Sequence, residues 1–352
     1  MPASPCPTNR LMTPDPLRLG ALTLTHPVFL APMAGITDLP FRRAVARHGG
    51  AGLMVSEMVG AAEMVSPRPS SRAAARAELG AAVEGGAPVS VQIAGREAGP
   101  MAETARIVAG MGARVVDINM GCPARKVTGG LSGAALMRDL DHALRLIDAV
   151  AGAVPDLAVT LKMRLGWDET SLNAPALAAR AAGAGVRMLT VHGRTRAQFY
   201  TGRADWAAIR GVTEAVANRA HAPLVVANGD VADAGAAARA LAASGARAVM
   251  VGRAAQGAPW RPAEIAHRLF GAPAPRIPRG PALAEAVAEH YEDILAFYGP
   301  ALGLRVARKH LGWWAEAAGI AGARAALVAA ASPAETHRVI AARFADAPGV
   351  AP

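Results

Sequence analysis

Residues 115–123 read Val115-Val116-Asp117-Ile118-Asn119-Met120-Gly121-Cys122-Pro123: an apolar, β-branched run that ends in a polar side chain, a glycine, a cysteine and a proline. Such a run has the composition of a strand, and Gly-Cys-Pro punctuates its end. Free cysteine is usually a small buried hydrophobe, so on this stretch alone packing explains Cys122 as well as chemistry does. A thiol just past the C-terminal end of a strand is nonetheless placed for chemistry.

Outward from this stretch the pattern repeats. Short apolar runs fall at 28–33, 53–58, 89–94, 115–120, 159–163, 188–192, 224–228 and 248–252, separated by Ala-rich segments of helical length. Strands alternating with helices imply βαβ units and a parallel sheet. Eight such units in 352 residues favour an α/β fold of the (β/α)8 TIM-barrel type, which needs about 250 residues, over an open doubly wound sheet. Residues 17–25, with Gly20 and Ala21 at their centre, read as a hairpin closing the bottom of the barrel. The segment 271–281 is too rich in proline for regular structure and reads as a linker. Beyond it Leu283, Val287, Tyr291, Ile294, Leu295 and Tyr298 recur at spacings of three and four, as on one helix face. A second stripe of Leu304, Ala307, Leu311 and Trp314 leaves Arg305, Arg308 and Lys309 on another face. The expected division is a flexible tail at 1–16, a barrel at 17–270, the linker at 271–281 and a small helical domain at 282–352.

Composition narrows the class. Hydrophobic residues make up 52% of the chain, much of it alanine, and no apolar run approaches the roughly 18 residues of a membrane span. The N-terminal residues lack the charged-then-apolar pattern of a secretion signal. Two cysteines support neither a disulfide framework nor a cysteine-rich zinc site, and Cys6 reads as an incidental thiol. A soluble, cytoplasmic protein is expected. The net charge of +10 favours a polyanionic partner, because phosphate neutralisation supplies much of the affinity for nucleic acid.

Strand side chains alternate sides, and the last inward residues of five strands are polar: Gln92, Asn119, Lys162, His192 and Asn228. They lie at the C-terminal mouth, where barrel enzymes keep their active sites. After the last two strands come Asn228-Gly229-Asp230 and Gly252-Arg253-Ala254, where such barrels cradle phosphate. No dinucleotide or P-loop glycine pattern stands at a strand-to-helix junction. A phosphate-bearing ligand follows; flavin mononucleotide and phosphosugars both fit the cradle.

The strings Ala31-Pro32-Met33-Ala34-Gly35-Ile36-Thr37-Asp38, Ser56-Glu57-Met58, Val91-Gln92-Ile93-Ala94-Gly95, Asp117-Ile118-Asn119-Met120-Gly121-Cys122-Pro123, Lys162-Met163-Arg164, His192-Gly193-Arg194-Thr195-Arg196, Asn228-Gly229-Asp230 and Gly252-Arg253-Ala254-Ala255-Gln256-Gly257 closely resemble the bacterial tRNA-dihydrouridine synthases. Order and spacing match over 17–260. Phe297-Tyr298-Gly299-Pro300, Arg305 and Ala307-Arg308-Lys309-His310 resemble that family's helical domain, most closely in the B subgroup. The resemblance implies FMN as cofactor, NADPH as reductant and a D-loop uridine of tRNA as substrate. Hydride would pass from flavin N5 to C6 and a proton from Cys122 to C5. It places Pro32, Met33 and Ala34 at the flavin ring, Gln92 and Lys162 in hydrogen bonds to it, and His192 near cofactor and substrate. Asn228, Gly229, Asp230, Gly252 and Arg253 would hold its phosphate, and Asn119 the uracil. Arg125, Lys126, Arg194, Arg196, Arg305, Arg308 and Lys309 would meet tRNA phosphates. Neither a membrane, a metal nor an obligate protein partner is expected. The competing readings are an FMN barrel oxidoreductase acting on a free pyrimidine-like metabolite, and an RNA-binding folding aid with a vestigial flavin site.

Overall fold

The computed structural model describes residues 17–66, 68 and 89–347. The expected tail at 1–16, with Cys6, and the last residues of the helical domain lie outside them. A two-stranded hairpin, β1 (Arg18–Leu19) and β2 (Leu22–Thr23), turns at Gly20, whose φ is +62°. Eight parallel strands follow: β3 (Val28–Leu30), β4 (Leu53–Gly60), β5 (Val89–Ala94), β6 (Val115–Met120), β7 (Ala158–Arg164), β8 (Met188–His192), β9 (Leu224–Asn228) and β10 (Ala248–Val251). They close into a barrel in the order β10-β3-β4-β5-β6-β7-β8-β9. Every barrel strand named from the sequence is present, with ends shifted by a few residues. The first ends at Leu30, with the Ala31 N–H still bonded to the Val251 carbonyl, and the chain then turns at Met33, whose carbonyl accepts from the Ile36 and Thr37 N–H groups. The second runs on to Gly60 across a register shift between Val55 and Met58.

The hairpin plugs the bottom. Leu17, Leu19 and Leu24 bury against Phe29, Leu53, Val115, Ala158, Met188, Leu224 and Ala248, the residues at the N-terminal ends of the barrel strands. Higher up the interior turns polar, with Ser90, Asp117, Thr160 and Thr190 all buried. Apolar residues facing the opposite way, such as Val116, Ile118, Leu161, Leu189 and Val225, join the helices in the main core.

Helices Pro281–Tyr298 and Pro300–Ala317 run back to back around Gly299 and bury Leu283, Val287, Tyr291, Ile294, Ala307, Leu311 and Trp314. Ala258 and Trp260, from the loop after β10, share that core. The helical unit is thus seated on the barrel by residues that precede the Pro-rich stretch. Gly257, at φ +68°, allows the closest approach, since a Cβ there would lie 2.1 Å from the Trp313 carbonyl oxygen. Arg47 Nη1 to Asp293 Oδ2 (2.6 Å) and Tyr298 Oη to Asp38 Oδ2 (2.9 Å) join the unit to the barrel's first helix, Leu39–Arg47, and its cap.

Candidate active site

A cavity of about 740 Å³ opens at the C-terminal ends of the strands. Every residue expected at the cofactor or the reacting base lines it: Pro32, Met33 and Ala34 after β3, Gln92, Asn119, Cys122, Lys162 and His192 across its floor and wall, and Asn228, Gly229, Asp230, Gly252 and Arg253 after β9 and β10.

The loop that bears the thiol is pinned from two sides. The N–H groups of Gly121 and Cys122 donate to Asn119 Oδ1 at 3.1 and 2.9 Å. Arg164 Nε donates to the Gly121 carbonyl at 2.8 Å, while its Nη1 donates to the carbonyls of Thr195 (2.9 Å) and Phe199 (2.8 Å). Arg164 is buried and lines the cavity, so the guanidinium ties the loops after β6 and β8 together beneath it. Sequence reasoning left Arg164 out of the site. Strand parity could have found it, two residues beyond the inward Lys162.

Lys162 donates no hydrogen bond to any described residue, and its ammonium faces the cavity. Burial and the nearby Arg164 lower its pKa to about 8, against the opposing pull of Asp117 and Cys122. His192 is neutral: burial, then the charges of Lys162, Arg164, Arg194 and Arg253, push its pKa down to about 2. Arg194 Nη1 lies 3.2 Å from His192 Nε2, and a guanidinium only donates, so Nε2 accepts and the ring proton sits on Nδ1. His192 is thereby fitted to donate a hydrogen bond without carrying charge.

Two expected roles change. Arg194 is 1% exposed, and its guanidinium donates to Asp230, to the carbonyls of Thr201 and Gly202 and to His192, so it cannot reach a phosphate at the rim. Asp230 accepts from Arg194, Arg253 (3.2 Å) and the Ala204 N–H (2.8 Å). Although burial alone would raise its carboxyl, the bonds and charges of Arg194 and Arg253 hold it below the usual range. An ionised carboxylate repels phosphate, so the position of Asp230 suits it to hold the Arg253 side chain and not to ligate an anion. Asn228 is also committed in part, donating Nδ2 to the Met250 carbonyl at 2.9 Å. Gly229, at φ +105°, is required because a Cβ would lie 2.9 Å from His192 Cδ2.

At the rim, Phe199 and Tyr200 are 45% and 47% exposed and meet edge to face, with ring centroids 4.7 Å apart. Arg164 and Arg253 stand over Tyr200 at 5.6 and 5.3 Å from the ring centroid. Arg125 and Lys126 are exposed on the helical turn Arg125–Thr128 just past Cys122. The guanidinium carbons of Arg196 and Arg138 lie 4.6 and 5.0 Å from the centroid of the Trp167 ring. Arg305 is exposed, but Arg308 is half-buried and Lys309 donates to the Gly35 carbonyl, so those three do not form one open basic face. No group of three or more His, Cys, Asp or Glu able to hold a metal occurs among the described residues, and none of their helices is long and apolar enough to cross a membrane.

The profile of a family described as dihydrouridine synthase matches residues 29–347. The chain is 63% identical to a probable tRNA-dihydrouridine synthase of Rhodobacter capsulatus over 330 residues, covering 94% of this chain and 98% of the relative. It is 45% identical to tRNA-dihydrouridine synthase B of Xanthomonas campestris over 304 residues, covering 85% and 87%. Among solved structures, morphinone reductase in complex with tetrahydroNAD shares the fold at a TM-score of 0.53 and 16% identity, over 74% of this chain and 91% of the other.

Proposed function

The chain belongs to the dihydrouridine synthase family, and from that membership we propose that it reduces the 5,6 double bond of a D-loop uridine in tRNA, with FMN as resident cofactor, NADPH as reductant and Cys122 as proton donor. One observation carries the reading: a thiol on a doubly anchored loop opens onto the same cavity as the unpaired Lys162 ammonium. Purified protein with NADPH and tRNA lacking dihydrouridine should form the reduced base. If cells without the protein keep every dihydrouridine in their tRNA, the proposal fails.

The residues fit FMN. The cavity is large enough for a flavin, its lining includes Lys162, Arg164 and Arg253, and the one carboxylate among its lining residues, Asp230, is neutralised by arginines. Arg253 would take the phosphate with a planar fork. Lys162 would stabilise electron density at the ring's carbonyl edge, and Met33 and Ala34 would border the ring. When bound, the cofactor supplies the hydride that reaches C6 of the uracil. Cys122 Sγ–H then gives its proton to C5. Asn119 has one Nδ2 hydrogen left for the base, since Oδ1 serves the loop and the other hydrogen goes to Gln92. Because Lys162 loses its charge near pH 8, turnover should fall as pH rises through that value. Lys162→Met should remove this alkaline limb, and an unaltered limb would free Lys162 of the role.

A barrel mouth admits a base only after it leaves its stack, which costs a few kcal/mol and less in a loop than in a duplex. Arg125, Lys126 and Arg196, with Arg305 and Arg308 of the helical unit, would meet the tRNA phosphates around that base. Replacing Arg305 and Arg308 with Gln should weaken tRNA binding and reduce the slope of log K against log salt by roughly one to two. An unchanged slope would remove this helix from the interface. Lys309 is better left intact, because its bond to Gly35 joins the helical unit to the loop after β3.

A further inference from the structure

Below the thiol lies a run of buried polar side chains whose far end, Asp117 and Thr160, has no part in the chemistry described above. Asn119 receives two backbone N–H groups on a single side-chain atom, which must therefore be its oxygen. Its Nδ2 consequently faces the other way and donates to Gln92 Oε1 at 2.7 Å. That leaves Gln92 with Nε2 toward its own further neighbour, Asp117 Oδ2, at 2.6 Å. The chain of bonds has one direction, and only an acceptor can end it. Asp117 supplies that acceptor, while its other oxygen takes the Thr160 hydroxyl proton at 2.5 Å. The four residues come from three adjacent strands, with Gln92 and Thr160 directly beside Asp117 in the pairing of β5, β6 and β7, and all are buried.

We propose that Asp117 is a positioning residue for the proton transfer: by fixing the orientation of Gln92 it fixes that of Asn119, and so holds the loop that presents Cys122. This rests on the reading of Cys122 as proton donor. Were the two amides reversed, Asn119 would present Nδ2 to two N–H donors and the loop would lose its anchor. Burial of Asp117 raises its carboxyl, and the bonds from Gln92 and Thr160 with the Lys162 charge oppose this. The relay needs the acceptor, not the charge. An asparagine at 117 can still offer Oδ1 to Gln92 and turn Nδ2 to the Thr160 oxygen. A leucine of the same size can do neither.

The test is amide hydrogen exchange at Gly121 and Cys122 in the flavin-loaded full chain, read residue by residue by NMR. Asp117→Leu should speed exchange at both amides severalfold, up to about tenfold, the effect of losing one hydrogen bond, with the amides of β9 and β10 unaltered. Asp117→Asn should stay close to wild type. Slow exchange in Asp117→Leu would mean that Asp117 only fills space, and fast exchange in Asp117→Asn would mean that charge, not acceptance, matters; either overturns the proposal. If Asp117→Leu does not accumulate folded, Gln92→Met cuts the same chain in its middle and decides the question by the same criterion. The outcome is separable from the proton-donor reading, because exchange at these amides does not depend on the thiol: a fully active Cys122→Ala would sink that reading and leave the relay standing.

Discussion

Cys122→Ala should purify with flavin bound and still oxidise NADPH, yet form dihydrouridine about 10² to 10⁴ times more slowly, the usual contribution of a general acid. Removing the thiol leaves its loop intact, because the anchors are backbone groups: the Cys122 N–H on Asn119 Oδ1, the Gly121 N–H on the same atom and the Gly121 carbonyl on Arg164 Nε. Neither Gln92, Lys162 nor Arg253 touches the thiol through a hydrogen bond, so the cofactor side of the cavity is undisturbed. The loss therefore falls on protonation at C5 alone. Cys122→Ser should recover little, since a hydroxyl is a far weaker acid than a thiol. Single-turnover measurement with reduced enzyme and tRNA separates the steps. A yellow Cys122→Ala enzyme that forms the product at the wild-type rate removes Cys122 from the chemistry.

The strands were legible because each is buried on both faces and so reads as a compact apolar run, as in Val115–Met120. Strand parity alone puts Gln92, Asn119, Lys162, His192 and Asn228 at the mouth. What composition could not convey is which polar partners consume one another. Arg194 looks like a rim cation in sequence, whereas its partner Asp230 lies 36 residues away and draws it inside. Asp230 looks like a phosphate ligand only until its oxygens are seen to be taken. Backbone conformation was equally hidden: Leu131, Phe199 and Asp230 have φ of +58°, +52° and +54°, a region non-glycine residues rarely enter. Phe199 and Asp230 both line the cavity. Strain of this kind gathers at functional sites, where surrounding contacts hold it. For Asp230 those contacts are the two arginines and the Ala204 N–H; for Phe199 they include Arg164, which grips its carbonyl. The helical stripes were also legible, but the seat of Trp260 beside Trp314, at 5.6 Å between ring centroids, needed the fold.

Acidification from pH 7 to pH 5 should destabilise the protein by several kcal/mol, with the helical unit contributing much of the loss. His290 and His310 are buried in its interface with the barrel, their rings 5.0 Å apart and each 5.9 Å from Phe41 of the first barrel helix. Burial pushes His290 down to about 4, with Asp293 opposing and Arg47 and His48 assisting. Burial likewise pushes His310 well below its ordinary value, helped by His290 and Lys309. Unfolded, both titrate near 6.5, so below that pH the unfolded chain binds protons that the native chain refuses. Stability is therefore full above about pH 6.5 and falls as pH drops toward 4, by roughly 2 kcal/mol at pH 5 for His290, with His310 adding a loss of the same sign. His290 Nδ1 accepts from Trp314 Nε1 at 3.1 Å, which puts its proton on Nε2, an atom without a hydrogen-bond partner. Both ring nitrogens of His310 also lack partners. No acceptor thus stands ready to stabilise a second proton on either ring. His310→Leu should relieve a buried unsatisfied group at pH 7, worth about 1 kcal/mol or more, and remove that ring's share of the acid loss. Urea unfolding at pH 7 and pH 5, for wild type and variant, reads both effects. Equal stability of the wild type at the two pH values would show that these rings are either solvated or paired in the native state, contrary to the packing of Phe41, Trp313 and Trp314 around them.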